Sequence, residues 1–184
     1  MTNNEATAER SGLIGRIYDL VTRHWPLIAF LSSAALLAIA HSFEKFGGLA
    51  PCHLCLKQRE VLWVAGTVGL IAVVLQRTPL WPRLRTPANL LLGAIFLYGA
   101  GLAAFHAGVE WKWWPGPSTC TGSGSVTVGS LEAALRGEVK LKPPMCDEAA
   151  WVFLGLSMAG WNALIQLKLA VWSVLAGLRK AETL

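Results

Sequence analysis

The chain has 184 residues, of which 54% are hydrophobic and only 15% charged, with a mean hydropathy of +0.47; this is too apolar for an ordinary soluble domain or a disordered chain. Four cysteines are too few at this length for a small secreted domain stapled by disulfides. Lys and Arg total 16 against 11 Asp and Glu, a net charge of +5. The resulting pI near 9.3 suggests nucleic acid only where basic residues share a soluble face; here they track membrane sidedness, and no nucleic-acid partner is expected.

A bilayer core of roughly 30 Å takes about 20 helical residues, and four apolar windows of that length follow one another. Residues 1–24 form a polar N-terminal segment ahead of them. The first span runs from about Trp25 to Phe43 without an Asp, Glu, Lys or Arg. It is read as a retained span, although Ala38-Ile39-Ala40 resembles a signal-peptidase site. A first outer loop, about 44–56, carries Gly47, Gly48 and Pro51-Cys52-His53-Leu54-Cys55. The second span, about Lys57 to Leu75, has its charges at its start, where Lys57 and Arg59 can snorkel. An inner loop, about 76–88, holds three Pro together with Arg77, Arg83 and Arg85.

The third span runs from about Asn89 to Gly108 and is followed by Trp111, Trp113 and Trp114, the composition of an aromatic belt at the headgroups. A long outer loop, about 109–148, contains Cys120 and Cys146; Ser130, Leu131, Ala134 and Leu135 predict a short helix lying on the membrane surface. The fourth span starts near Ala149 and runs toward Leu178, leaving 179–184 as a tail. None of the windows alternates with the period of a barrel strand. The expected fold is therefore all-α: an integral membrane four-helix bundle, residues 25–178, with a long outer loop carrying a short surface helix.

Four spans put both termini and the 76–88 loop on one side. Nine of the 16 basic residues and four of the 11 acidic ones fall there, so the whole excess of +5 sits on that face and the other is neutral. The positive-inside rule makes the basic face cytoplasmic. All four cysteines then lie outside, in a bacterium an oxidising compartment.

A C-x-x-C pair closes too short a loop to stabilise a fold appreciably, so its use is redox or metal chemistry. A thiolate at Cys55 would sit by the positive end of the following helix and about one turn before Arg59, with His53 adjacent. A closed zinc site normally uses two tight Cys pairs, whereas 25 residues separate Cys120 from Cys146. A c-type haem needs His at position 56, which is Leu56. No metal is expected. One pair at the bilayer edge and one in a long hydrophilic loop suit a thiol relay between a water-soluble protein and an acceptor in the lipid.

These residues resemble the bacterial disulfide bond formation protein B (DsbB) family. The resemblance rests on Pro51-Cys-His-Leu-Cys-Leu-Lys-Gln-Arg59, on Phe105-His106-Ala-Gly-Val-Glu-Trp111 followed by Pro117 and Cys120, and on Cys146-Asp-Glu-Ala-Ala-Trp-Val-Phe-Leu-Gly-Leu-Ser-Met158. It implies a multi-pass inner-membrane enzyme, a monomer with cytoplasmic termini and periplasmic cysteine loops. Such an enzyme reoxidises a thioredoxin-fold, DsbA-like dithiol oxidant and passes the electrons to ubiquinone or menaquinone. By the same resemblance Cys120 takes the mixed disulfide with the soluble partner, and Cys146 is its mate and attacks Cys52. Cys55, freed as a thiolate, faces the quinone, with Arg59 and His106 beside it. Two positions depart from the pattern: Ala159 follows Met158 where the family has Pro, and His53 lies inside the C-x-x-C. The rival readings are a membrane scaffold with two structural disulfides and a thiol/quinone enzyme similar to vitamin K epoxide reductase, whose C-x-x-C normally lies far nearer the C-terminus.

Overall fold

The computed structural model describes residues 3–117, 136 and 145–179. Cys120, the segment expected to form the surface helix (about 126–135) and residues 180–184 lie outside them. The described chain forms α1 (Asn3–Arg23), α2 (Trp25–Lys45), α3 (His53–Leu75), α4 (Trp81–Glu110), a two-stranded hairpin of β1 (Val152–Phe153) and β2 (Leu156–Ser157), and α5 (Met158–Leu178). The helices α2 to α5 are each long and apolar enough to cross a membrane.

The helix starts follow local chemistry. Pro26 stands in the first turn of α2 and Pro82 in that of α4, where the missing N–H has no intrahelical partner to lose. Because Pro82 is tolerated there and Pro87 is accommodated inside the helix, α4 begins at Trp81 rather than near Asn89. The inner connection accordingly shrinks to residues 76–80. Thr86 secures this added length by donating to the Gly177 carbonyl at 3.0 Å.

The last span also differs from expectation, starting at Met158 and not near Ala149. Leu154 and Gly155 both take positive φ, 50° and 80°, the backbone of a tight hairpin turn. That turn folds β1 back on β2, with Val152 opposite Ser157 and Phe153 opposite Leu156. Ser157 then caps α5, its hydroxyl accepting from Gly160 N–H at 3.1 Å.

Residues 3–23 are helical where a polar leader was expected. In α1, Leu13, Ile14, Ile17 and Leu20 are exposed, the spacing of a helix with an apolar face suited to a membrane surface. Asp19 binds Arg179 at 3.2 Å, tying α1 to the end of α5.

In the bundle α4 lies along α5, α2 along α3, and α3 against α4. Trp25 and Ala29 of α2, Ala65 of α3, Leu92 and Phe96 of α4 and Ala170 of α5 form the buried core. Polar groups are inside as well: Trp25 Nε1 donates to Ser173 Oγ at 2.9 Å, and Gln166 is fully buried. Leu31, Ile71, Leu97 and Val171 are each more than half exposed. Apolar side chains outside and small or polar ones at the helix contacts are what a hydrocarbon solvent favours.

Candidate functional site

The site forms where α3 begins. Pro51 ends the preceding loop, and Cys52 takes extended backbone as the N-cap of α3, its sulfur accepting from Cys55 N–H at 3.3 Å. This capping bond brings the two sulfurs of the C-x-x-C to 2.7 Å. Both cysteines are free thiols, and Cys52 is buried. One helical turn brings Cys55 and Arg59 onto the same face.

Cys146 is disulfide-bonded and only 1% exposed, packed with Cys52, Leu54 and Val109. The Cys146 sulfur, the Cys52 sulfur and a His106 ring nitrogen all lie within 4.8 Å of one another. Such a triad has the composition of a metal site, but a sulfur held in a disulfide is not a thiolate ligand. The closeness of Cys146 to Cys52 is instead the approach that thiol–disulfide exchange requires.

His106, at the outer end of α4, is 4% exposed. Its Nε2 lies 3.6 Å from Cys52 Sγ and 3.8 Å from Glu110 Oε1. Sequence reasoning placed His53 beside the thiols, yet the imidazole in contact with a cysteine sulfur is His106, which arrives from another helix. The thiol that the structure favours as thiolate is likewise Cys52 and not Cys55. The Cys55 thiol above all, and then His106, hold the Cys52 pKa down at about 4, outweighing the opposite effect of burial. In the reduced protein Cys52 therefore stays ionised until the pH falls toward that value. Its labelling by a small alkylating reagent, followed by peptide mass spectrometry, is expected to be nearly flat between about pH 6 and 8, where an ordinary thiol gains about tenfold per pH unit. A Cys52 rate that climbs like an ordinary thiol's would show that the sulfur is not so held.

Beside the thiols opens a cavity of about 630 Å³, walled by α2, α3, α5 and the outer end of α4 and by residues 48–52 and 145–153. Its surface is mostly apolar, from Leu36, Phe43, Leu62 and Ile165 among others, and Cys55, Arg59 and His106 reach it. Arg59 is only 14% exposed in its side chain and pairs with Glu44 at 2.5 Å, while its second terminal nitrogen donates to the Ala40 carbonyl at 3.0 Å. The guanidinium is thus fixed at the cavity wall with its charge balanced and further N–H groups to offer.

Trp111, Trp113 and Trp114 contact one another in tilted and edge-on pairs, and Trp114 stacks on Phe105, away from the cavity, which takes Trp151 and Trp161 instead. Cys120 lies outside the described residues.

Four polar residues of the site were not singled out by sequence reasoning. Glu44 balances Arg59. Glu110, 6% exposed in its side chain, accepts from the Ser157 hydroxyl and so joins α4 to the start of α5. Gln58 lies 2.9 Å from His106, and Asn162 donates to Gln58. Gln58 stands three residues after Cys55 and Glu110 four after His106, so helical spacing alone could have marked both. Glu44 and Asn162 come from other helices and leave no such signal.

Residues 22–176 match the family model described as disulfide bond formation protein DsbB. Among curated proteins, disulfide bond formation protein B of Methylococcus capsulatus is 35% identical over 156 residues, covering 81% of this chain and 90% of that relative. That of Xylella fastidiosa (strain Temecula1) is 34% identical over 160 residues, 85% and 89% of the two chains. Disulfide bond formation protein B of Marinobacter nauticus is 32% identical over 171 residues, 87% and 95%. No solved structure matches the chain.

Proposed function

The chain belongs to the DsbB family of membrane disulfide bond formation proteins, and on that premise we propose that it is a protein-dithiol:quinone oxidoreductase of the bacterial inner membrane. It reoxidises a periplasmic thioredoxin-fold dithiol through two cysteine pairs, with both termini in the cytoplasm. The observation that carries this reading is the order of groups across the site: the Cys146 disulfide sulfur, then Cys52 within 4.8 Å, then Cys55 at 2.7 Å, then the cavity.

In the proposed cycle a partner thiolate attacks Cys120 of a Cys120–Cys146 disulfide. A mixed disulfide forms and Cys146 leaves as thiolate. Cys146 attacks Cys52 of an oxidised Cys52–Cys55 pair, making a Cys52–Cys146 bond and releasing Cys55 as thiolate at the cavity wall. The partner's second thiolate displaces Cys120 and leaves as a disulfide. Cys120 then attacks Cys146, restoring the outer pair and returning Cys52 as thiolate. The inner pair now holds the partner's two electrons.

A quinone head group fits the cavity as a flat, mostly apolar ring whose two carbonyls need donors, and when bound it supplies the acceptor for two electrons and two protons. Arg59 is the donor at that wall, and the His106 ring borders it.

The test is reduction of ubiquinone and of menaquinone by a reduced DsbA-like protein, followed by absorbance with the purified chain. The expected result is one quinone reduced per dithiol oxidised. Partner oxidation that proceeds at the same rate without quinone, under nitrogen, would overturn the proposal.

A further inference from the structure

Behind His106 three carboxamides run in line into the bundle, Gln58 and Gln166 buried and Asn162 between them half-buried. The Gln58 amide nitrogen lies 2.9 Å from His106 Nδ1. Asn162 Nδ2 donates to Gln58 Oε1 at 2.5 Å, and Gln166 Nε2 donates to Asn162 Oδ1 at 3.1 Å. Gln58 is 5% exposed and Gln166 0%, so both ends of the ladder are shielded from bulk water, while Asn162 between them borders the cavity.

Each bond sets the direction of the next. Because Asn162 gives its N–H to the oxygen of Gln58, the end of Gln58 that faces the ring is its NH₂, which can only donate. Nδ1 must then present a lone pair, and a neutral imidazole with a lone pair at Nδ1 carries its hydrogen on Nε2. The surroundings of Nε2 agree independently, since its two neighbours, Cys52 Sγ and Glu110 Oε1, are acceptors when ionised. The inner end agrees too. Gln166 Oε1 is buried without a partner among the described residues, and reversing all three amides would put an NH₂ there instead. An under-satisfied oxygen is the more easily tolerated of the two.

We propose that Gln58, Asn162 and Gln166 are positioning residues that hold His106 as the neutral Nε2–H tautomer, with that hydrogen facing the Cys52 sulfur at the cavity edge. This rests on the proposed function for what the hydrogen is used for, but not for which nitrogen bears it. A Cys52 thiolate receives a donor from this tautomer, whereas the other would oppose it with a lone pair. Since each amide is keyed to the next, the ladder turns over as a unit, and a change two residues from the ring reaches the ring.

The test is the ¹⁵N chemical shifts of His106 in the full-length protein, histidine-labelled in lipid nanodiscs and assigned by the signal lost in His106→Gln. The wild-type ring is expected to show Nδ1 in the unprotonated range and Nε2 in the protonated range. Gln58→Glu places an acceptor at Nδ1 and is expected to move a proton onto it. Asn162→Leu frees Gln58 to turn, and the Nδ1 shift should fall between the two extremes. A wild-type ring protonated at Nδ1 overturns the proposal, and this outcome depends on no variant folding. Folded variants that both keep the wild-type shifts, with the three other histidines unchanged, overturn it as well. Quinone reduction is measured separately, so loss of the functional reading leaves the tautomer result standing.

Discussion

Cys55→Ser is expected to lower quinone reduction by a reduced thioredoxin-fold dithiol by a factor on the order of a thousand or more, equivalent to about 4 kcal/mol of barrier. A serine hydroxyl at this position can neither form a disulfide with Cys52 nor leave as a stable anion at the cavity wall. The substitution removes one sulfur and little volume from a half-buried position, so the bundle should fold as before. Cys52→Ser should be as severe, because it removes the sulfur that lies within 4.8 Å of Cys146. Cys146→Ser separates the two halves of the relay. Its Cys120 is left as a lone thiol, which should attack the disulfide of the oxidised partner and release the partner's second cysteine as thiolate; the mixed disulfide should be seen on non-reducing gels after acid quenching, because Cys146 is not there to displace it. A small dithiol that enters the cavity should still reduce the Cys52–Cys55 pair in this variant and so restore quinone reduction. Full turnover in Cys55→Ser, or a trapped complex that survives the loss of Cys120, would contradict the order of steps.

The spans were legible because hydrocarbon imposes a length and a composition that can be counted along the chain. The two boundaries that moved did so for reasons local to a few residues. Pro82 and Pro87 looked like a loop but lie within a helix, where Pro82 in the first turn costs little. Leu154-Gly155 looked like part of an apolar span but turns a hairpin, because both residues adopt positive φ. The cysteines were legible because their spacing has no efficient structural use. The groups that tune them were less so. Arg59 and His106 lie within recognisable motifs, but Glu44 beside Arg59 and Asn162 behind Gln58 matter only once α2, α3, α4 and α5 are side by side. A sequence window cannot show that a carboxylate fifteen residues before an arginine, across a turn, balances its charge.

The same dependence on packing makes Gly99→Ala costly for a single methyl group. A Cβ at position 99 would stand 1.8 Å from Gln166 Oε1, 2.7 Å from Gln166 Cδ and 2.9 Å from Val61 Cγ1. The contact therefore falls on the carboxamide that ends the His106 ladder and on the wall of α3 behind it. Overpacking of this kind costs about 1–3 kcal/mol, and here the side chain that must yield is fully buried between helices with few free rotamers. We expect Gly99→Ala to lower the thermal midpoint of the protein in detergent by several degrees and to slow quinone reduction, because Gln166 cannot move without releasing Asn162. Gln166→Ala alone should cost less, since it leaves a small cavity but removes an orphaned oxygen. Combined with Gly99→Ala it fills part of the space it vacates, so the double variant should be more stable than Gly99→Ala alone, a coupling of the size expected for residues in contact. If the two effects simply add, Gly99 is not the seat of Gln166. The stability of the α4–α5 contact would then be independent of the polar chain that runs through it.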